Sequence, residues 1–392
     1  MDVARGPVIL IVSPHAGRMT GGDPTVYVAD ALRRTGVAVG RVLEVSALDE
    51  AAPQGTAWRA EGFAAAVVAG GDGTVGAVAT HVAGTDLPLG ILPLGTSNDV
   101  ARSLEIPQDL AGACAVVAEG VTGAIDIGEA RPGATEPGAP DVIAAAEAAG
   151  AETPAVIRME ERAWRGAYFL HALTLGLNVE FARLATDAAR RRLWGPLNYS
   201  AAAIEALARL RPLPTTVRLE GVTASAYGMR MPGPSGPDEA AGDGLRVTEN
   251  ATTRIIAGNM IQLAAIVTPV FGGAANLRMP DVSLSDHLLD FVVIEALAPY
   301  HLRTLVERLG AGPPDIPDAV GSALAPPGAP QPLELPGLWR FKARRAVIER
   351  PPEVDVTLDG EVRARTPLEM RCVPAGLTVL LPRARAGEVL GG

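Results

Sequence analysis

The run Gly70-Gly71-Asp72-Gly73-Thr74 constrains this chain most, because Pro93-Leu94-Gly95-Thr96-Ser97-Asn98-Asp99 soon repeats its grammar. Each run sits where an apolar segment meets an amphipathic one. Phe63 to Ala69 reads as a buried strand, and Val75 to Val82 as a short helix stopped by Gly84. Leu89 to Leu92 reads as the next strand, with a helix from Val100 to Leu104. Loops from strand ends to helix N-termini present unpaired N–H groups and a positive helix end, which suits phosphate. Glycine lets backbone approach an anion without a side chain in the way. Taken alone, the pattern fits two tight strand-to-helix turns equally well.

The same alternation fills residues 1–125. Val8 to Val12 is the first predicted strand, Ser13-Pro14-His15-Ala16-Gly17 its loop, and Pro24 to Arg34 a helix ended by Gly36. Val37 to Val45 is the second strand, and Leu110 to Glu119 a last helix closed by Gly120. This order predicts an α/β domain with a mostly parallel sheet covered on both faces. From Asp126 the segments turn short and β-branched: Val217 to Leu219, Ile255 to Ala257, Met260 to Ile266, Leu289 to Ile294 and Val354 to Leu358. They predict an antiparallel β-sandwich domain over 126–374, with helices at 179–192, 199–210 and 299–309. Stretches 130–153, 233–244 and 310–336, rich in Ala, Gly, Pro or acid, are expected to be surface loops without chemistry.

At 392 residues the chain has room for two cores. Its formal charge of −10 argues against nucleic-acid binding and gives no overall pull toward anionic membranes. Cys114 and Cys372 form no CxxC pair, which fits a reducing cytosol. A leader is not evident, and the longest apolar candidate, 255–275, is broken by Asn259, Gln262 and Pro269, so a soluble, cytoplasmic chain is expected. Lys342 is the only lysine. It lies outside any Gly-Lys-Ser/Thr run, which excludes a P-loop, and has no helpful neighbours in sequence for Schiff-base chemistry. The protein-kinase motif set is absent as well. Phosphate chemistry would rest on backbone N–H groups, metal and arginine. The five histidines lack metal-ligand spacing, and His171 reads as a hydrogen-bonded core residue.

The two loops together resemble the catalytic domain of the diacylglycerol kinase and sphingosine kinase superfamily, most of all its bacterial soluble lipid kinases. Further landmarks follow in order: Ile125-Asp126-Ile127-Gly128, Tyr168 to Leu177, Phe271 to Pro280, Leu284 to Asp290, and Leu358-Asp359-Gly360-Glu361. The resemblance implies an NAD kinase-like three-layer α/β domain, a C-terminal tail (375–392) returning to it, and ATP-dependent phosphorylation of a lipid hydroxyl. It implies nucleotide contacts from Gly70, Gly71, Asp72, Gly73 and Thr74, and from Ser46, which reads equally well as a plain loop serine. Thr96 would touch phosphate or brace its turn; Asn98 would contact nucleotide or cap its helix. Asp99 is implied to join Asp126 in a water-linked Mg²⁺ network. Glu361 is implied as the proton acceptor, since a lipid hydroxyl with a high pKa needs a poised base; Asp359 and Glu361 otherwise read as solvated turn acids. Asp286, with the carbonyls of Ser283 and Leu288, is implied to hold a structural Mg²⁺.

Some positions depart from the pattern. His287 stands where a glycine is usual, which puts the Asp286 metal site in question. Ser13 to Gly17 lacks an amide and a hydroxyl of the usual phosphate loop, and Gly272-Gly273-Ala274 replaces three glycines. Arg190 to Arg192 with Trp194 reads as a solvated helix end or as a contact for lipid phosphate. The implied partners are ATP, Mg²⁺, a lipid with a free hydroxyl and a transient membrane surface; a second copy of the chain is left open. Rival readings are an NAD kinase, which shares Gly-Gly-Asp-Gly-Thr, and a non-catalytic nucleotide- or lipid-binding regulator, supported by the altered loops.

Overall fold

A computed structural model describes residues 6–13, 24–48, 54–133, 166–187, 202, 205–206, 209, 211–223, 227–228, 245–249, 253–271, 277–279, 281–296, 338–350 and 353–389. The N-terminal strands are β1 (Val8–Val12), β2 (Val39–Glu44), β3 (Ala65–Gly70) and β4 (Leu89–Pro93). They pair in parallel in the order β2–β1–β3–β4. β1 and β3 are buried along their whole length, which continuous apolar runs at the middle of a covered parallel sheet require. β2 is largely exposed and lies at the edge.

The helices among these strands are α1 (Pro24–Arg34), α2 (Gly55–Ala60), α3 (Asp72–Val82), α4 (Asp99–Ser103) and α5 (Leu110–Glu119). α5 shows why such segments stop where they do. The Asp109 side chain accepts the Gly112 N–H at 2.8 Å, and Gly120 closes the helix at φ 64°. α3 begins at Asp72, three residues before the sequence reading placed it. Gly71, extended at φ −95°, is its N-cap, and Asp72 lies in the first turn, where a carboxylate suits the helix dipole.

The chain continues through β5 (Thr122–Pro132), β6 (Ala167–Phe169), β7 (Ala172–Gly176), α6 (Leu177–Thr186), β8 (Leu213–Glu220), β9 (Tyr227–Gly228), β10 (Arg246–Glu249) and β11 (Thr253–Ile266). Then come β12 (Val270–Phe271), β13 (Leu277–Arg278), β14 (Leu289–Glu295), β15 (Leu338–Ala343), β16 (Arg345–Glu349), β17 (Asp355–Leu358), β18 (Glu361–Arg365), β19 (Leu368–Leu380) and α7 (Arg383–Val389). Pairing here is antiparallel: β11 lies against β7, β8, β10 and β14, and β16 joins β8 to β19. Two segments expected as separate strands, at 255–257 and 260–266, are one strand, β11.

One apolar cluster gathers β1, β3, β4 and their helices with Ile125, Ile127, Leu377, Val379 and Leu380. A second is built around Phe169, Leu263, Phe291, Phe341, Ile348 and Met370. β5 runs straight through the expected boundary at 125, and β19 pairs with it from Leu368 opposite Pro132 to Leu380 opposite Thr122. Ala130 to Pro132, expected to open a surface loop, are strand residues, and Ala130 is fully buried. The expected loops at 134–153, 233–244 and 310–336, the helix at 299–309 and most of that at 199–210 lie outside the described residues. Among the described residues no helix is long and apolar enough to cross a membrane.

Candidate active site

The two glycine-rich runs are locked back to back. The Leu94 N–H donates to the Gly70 carbonyl at 2.9 Å, and a β-carbon on Gly71 would stand 3.1 Å from the Gly95 Cα. Close backbone approach is what these glycines permit. The Asp72 Oδ1 accepts the Val100 N–H at 2.9 Å, so its carboxylate caps α4 across the gap between the loops. Asp72, read in the sequence as part of the strand-to-helix loop, is instead a first-turn helix residue that braces the second loop. Asn98 occupies the N-cap position of α4 at φ 51° but turns back on its own loop. Its Oδ1 accepts the Gly95 N–H at 2.8 Å and its Nδ2 donates to the Gly95 carbonyl at 3.1 Å. Thr96 is exposed and Thr74 half-buried. Ser46 sits in an exposed 3-10 turn, Val45–Ala47, where its hydroxyl donates to Glu44.

The Asp359-Gly360 turn closes the β17–β18 hairpin with both residues at positive φ (48° and 85°), the geometry of a tight two-residue loop that Asp-Gly favours. Asp359 is not the solvated acid the sequence allowed. It is buried, its Oδ2 accepts the Leu170 N–H at 2.9 Å, and its Oδ1 accepts those of His171 and Ala172 at 2.8 and 3.1 Å. Burial raises its pKa above the usual carboxylate value, against the pull of those donors and of His171. Its job is to clamp the link between β6 and β7. Glu361 is exposed, with Oε2 taking both Nε (2.9 Å) and Nη2 (2.6 Å) of Arg363.

This hairpin rests on the first turns of α3. A β-carbon on Gly73 would strike Glu361 Oε1, and one on Gly76 would stand 2.6 Å from Asp359 Oδ2. Residues 70–76 and 359–361, nearly a chain length apart, thus form one surface. Asp99 joins it from α4: its Oδ2 is 3.8 Å from His171 Nε2, whose Nδ1 lies 2.8 Å from Thr268 Oγ1 and whose ring packs at a tilt against Phe271. His171 is thus the hydrogen-bonded histidine the sequence suggested, and it links the second loop to Thr268. Two participants escaped the sequence reading, His171 in this role and Arg363. Only Arg363 carried a signal, since residues two apart on a strand share a face.

Asp126 is buried on β5, and its partners belong to another turn. Its Oδ2 accepts the His287 N–H at 2.6 Å, and its Oδ1 accepts the Ala375 N–H at 2.8 Å and lies 3.1 Å from His287 Nδ1. Its own N–H donates to the Leu284 carbonyl at 2.8 Å. In that turn the Ser285 N–H donates to Ser283 Oγ and the Leu288 N–H to Asp286 Oδ1, both at 3.2 Å. Lys342 enters from β15, and its ammonium lies 2.7 Å from Asp286 Oδ2 and 3.1 Å from Asp290 Oδ2. The lysine without helpful sequence neighbours has close spatial ones. Burial works against its charge, yet Asp286 and Asp290 outweigh that and leave its pKa raised. Among the described residues no three His, Cys, Asp or Glu side chains are grouped to hold a metal ion. Pro14 to Gly17, 272–274, Arg190 to Arg192 and Trp194 lie outside the described residues.

Parallel strands thus feed paired glycine-rich turns, and an antiparallel half delivers an acidic hairpin onto them. Residues 7–130 match the family model of the diacylglycerol kinase catalytic domain. The chain is 27% identical over 327 residues to a diacylglycerol kinase of Mycobacterium tuberculosis (strain ATCC 25618 / H37Rv), covering 83% of this chain and 79% of that one. A diacylglycerol kinase of Staphylococcus aureus (strain Newman) is 42% identical over 73 residues, 18% of this chain and 22% of that one. The fold also matches the crystal structure of a diacylglycerol kinase from Bacillus anthracis str. Sterne, with TM-score 0.58, 18% identity, and 97% of this chain and 98% of that one covered.

Proposed function

We propose that this chain is an ATP-dependent lipid kinase that phosphorylates a hydroxyl of diacylglycerol or a related lipid. The observation that carries the reading is the Asp359-Gly360-Glu361 hairpin seated on the first turn of α3, where Gly73 leaves room for the Glu361 carboxylate. ATP lies on residues 70–74 and 95–98, with its phosphates at the N-terminus of α3. The lipid oxygen attacks the γ-phosphorus, the bond to ADP breaks, and the hydroxyl proton passes to Glu361 Oε1. Arg363, on Oε2, fixes the direction of the carboxylate. His171 and Asp99 wall the same mouth.

Mg²⁺ arriving with ATP supplies charge neutralisation on the phosphates. Asp72 and Asp126 are already engaged by backbone N–H groups, so they do not form a ready metal cage, and no step is assigned to them through the ion. In this reading residues 1–125 with the tail 375–392 make an NAD kinase-like nucleotide domain, and 126–374 a β-sandwich that delivers the lipid. The protein works in the cytoplasm, touching membrane surfaces transiently.

The test is transfer of label from γ-³²P-ATP to a panel of diacylglycerol, sphingoid base, phosphatidylglycerol and isoprenoid alcohol in micelles, with NAD alongside. Label is expected on a lipid. Glu361→Gln should keep ATP binding and lose roughly 10²–10⁴-fold in turnover, the usual worth of a positioned base. Glu180→Gln, which only loosens a surface pair with Arg183, should behave as wild type. Label on NAD alone, or a fully active Glu361→Gln, overturns the reading.

A further inference from the structure

The family resemblance implies a structural Mg²⁺ on Asp286, and the residues present do not fit one. Asp286 Oδ2 already lies 2.7 Å from the Lys342 ammonium. Mg²⁺ binds carboxylate oxygen at about 2.1 Å, so an ion on that oxygen would sit within roughly 5 Å of a fixed positive charge. The ammonium also donates to the Asp281 carbonyl at 2.6 Å and lies 3.1 Å from Asp290 Oδ2. An ammonium has three donors, and these three oxygens take them all. Two carboxylates and a carbonyl are hard oxygen donors of the kind a divalent ion collects.

The placement is built into the sheet. Asp290 and Lys342 are direct cross-strand partners in the β14–β15 ladder, so their side chains rise from one face. Arg340, two residues earlier on that strand, reaches Asp290 Oδ1 at 3.3 Å. The other end of the turn carries strain. His287 stands at φ 63° and Asp281 at φ 63°, conformations that L side chains adopt at a cost. Such conformations persist where the surroundings over-determine them. Here the surroundings are the Lys342 tie and the two His287 contacts to Asp126.

We propose that Lys342 replaces the structural divalent cation, its ammonium fastening the 281–290 turn and thereby positioning Asp126. Lys342 is the only lysine of the chain, so this tie has no substitute of its own kind. It acts as a positioning residue and touches no reacting atom. The inference concerns the turn alone and is read out by stability, so failure of the kinase reading would leave it standing.

The experiment is thermal melting of nucleotide-free protein in EDTA and in millimolar MgCl₂, for wild type, Lys342→Ala, Lys342→Arg and Asp286→Asn. Wild type should melt at the same temperature in both buffers. Lys342→Ala should melt several degrees lower in EDTA and recover part of that loss with Mg²⁺, because the emptied space offers oxygen ligands to an ion that binds only the folded state. Lys342→Arg should fall between wild type and Lys342→Ala in EDTA, and it keeps the test open if Lys342→Ala does not fold. A saturable Mg²⁺ stabilisation of wild type that Asp286→Asn abolishes would overturn the proposal. So would a Lys342→Ala protein as stable as wild type in EDTA, or one that Mg²⁺ does not stabilise.

Discussion

Asp72 separates two roles that a carboxylate in a glycine-rich run can play. Its Oδ1 accepts the Val100 N–H at 2.9 Å, and Asn98 cannot take over, because its amide is committed to Gly95. Asp72→Ala thus leaves the α4 N-terminus uncapped. Loss of a capping side chain costs about 0.5–2 kcal/mol. Val100 is fully buried, so water replaces the lost acceptor poorly, and the upper half of that range, about 1–2 kcal/mol, is expected. With roughly 2–4 °C per kcal/mol for a chain of a few hundred residues, Tm should fall by ~2–8 °C. Asp72→Asn keeps an oxygen for Val100 and should hold near wild-type stability while losing the charge. Urea unfolding followed by circular dichroism, with ATP KM for all three proteins, separates the contributions. If Asp72→Ala is as stable as wild type, the cross-loop cap contributes nothing and the reasoning is wrong.

Gly73→Ala should divide stability from activity: alanine gains up to ~1 kcal/mol of helix propensity, while its β-carbon displaces the Glu361 carboxylate. Turnover is expected to fall at least tenfold with Tm unchanged or raised; full activity would show that Glu361 need not sit there. Phe169→Ala, which empties a fully buried ring lying over Gly128, should cost about 3–5 kcal/mol in urea unfolding, and a loss under 1 kcal/mol would mean the second core closes over the gap. Burial pushes the Cys114 thiol up to about 11 and Cys372 to about 12, the latter also through Asp126 and Asp286. At pH 8 at most roughly a thousandth of either is thiolate, so iodoacetamide should label both only in denaturant; rapid native labelling would contradict their burial.

Local pattern carried far in the first half of the chain. Pro24 to Arg34 and Leu110 to Glu119 are helices with the residues the sequence predicted, because glycines and a capping Asp109 mark their ends. β1 likewise matches, since five consecutive buried apolar residues leave little choice. What stayed hidden depends on long-range register. No local rule pairs Asp290 with Lys342, and that ladder position turns an apparently idle lysine into the partner of Asp286. The Asp359-Gly360 turn was legible as a turn, yet its burial follows from three N–H donors at 170–172. Asp72 misled for a similar reason: its partner, Val100, belongs to the next unit.

The long β5–β19 pair has a mechanical consequence. Leu368, Met370 and Cys372 feed one core and Leu377, Val379 and Leu380 the other, with the register shift between Val373 and Leu377 as the crossing point. Asp126 grips that crossing through the Ala375 N–H. A polypeptide ended at residue 125 would lack those last three side chains, each worth about 2–5 kcal/mol in a packed core, against a total stability of about 5–15 kcal/mol. Neither half is therefore a separable part, and a chain severed between them should not yield a folded N-terminal fragment. The ribbon is thus a common spine, and a change that shortens it should loosen both cores at once.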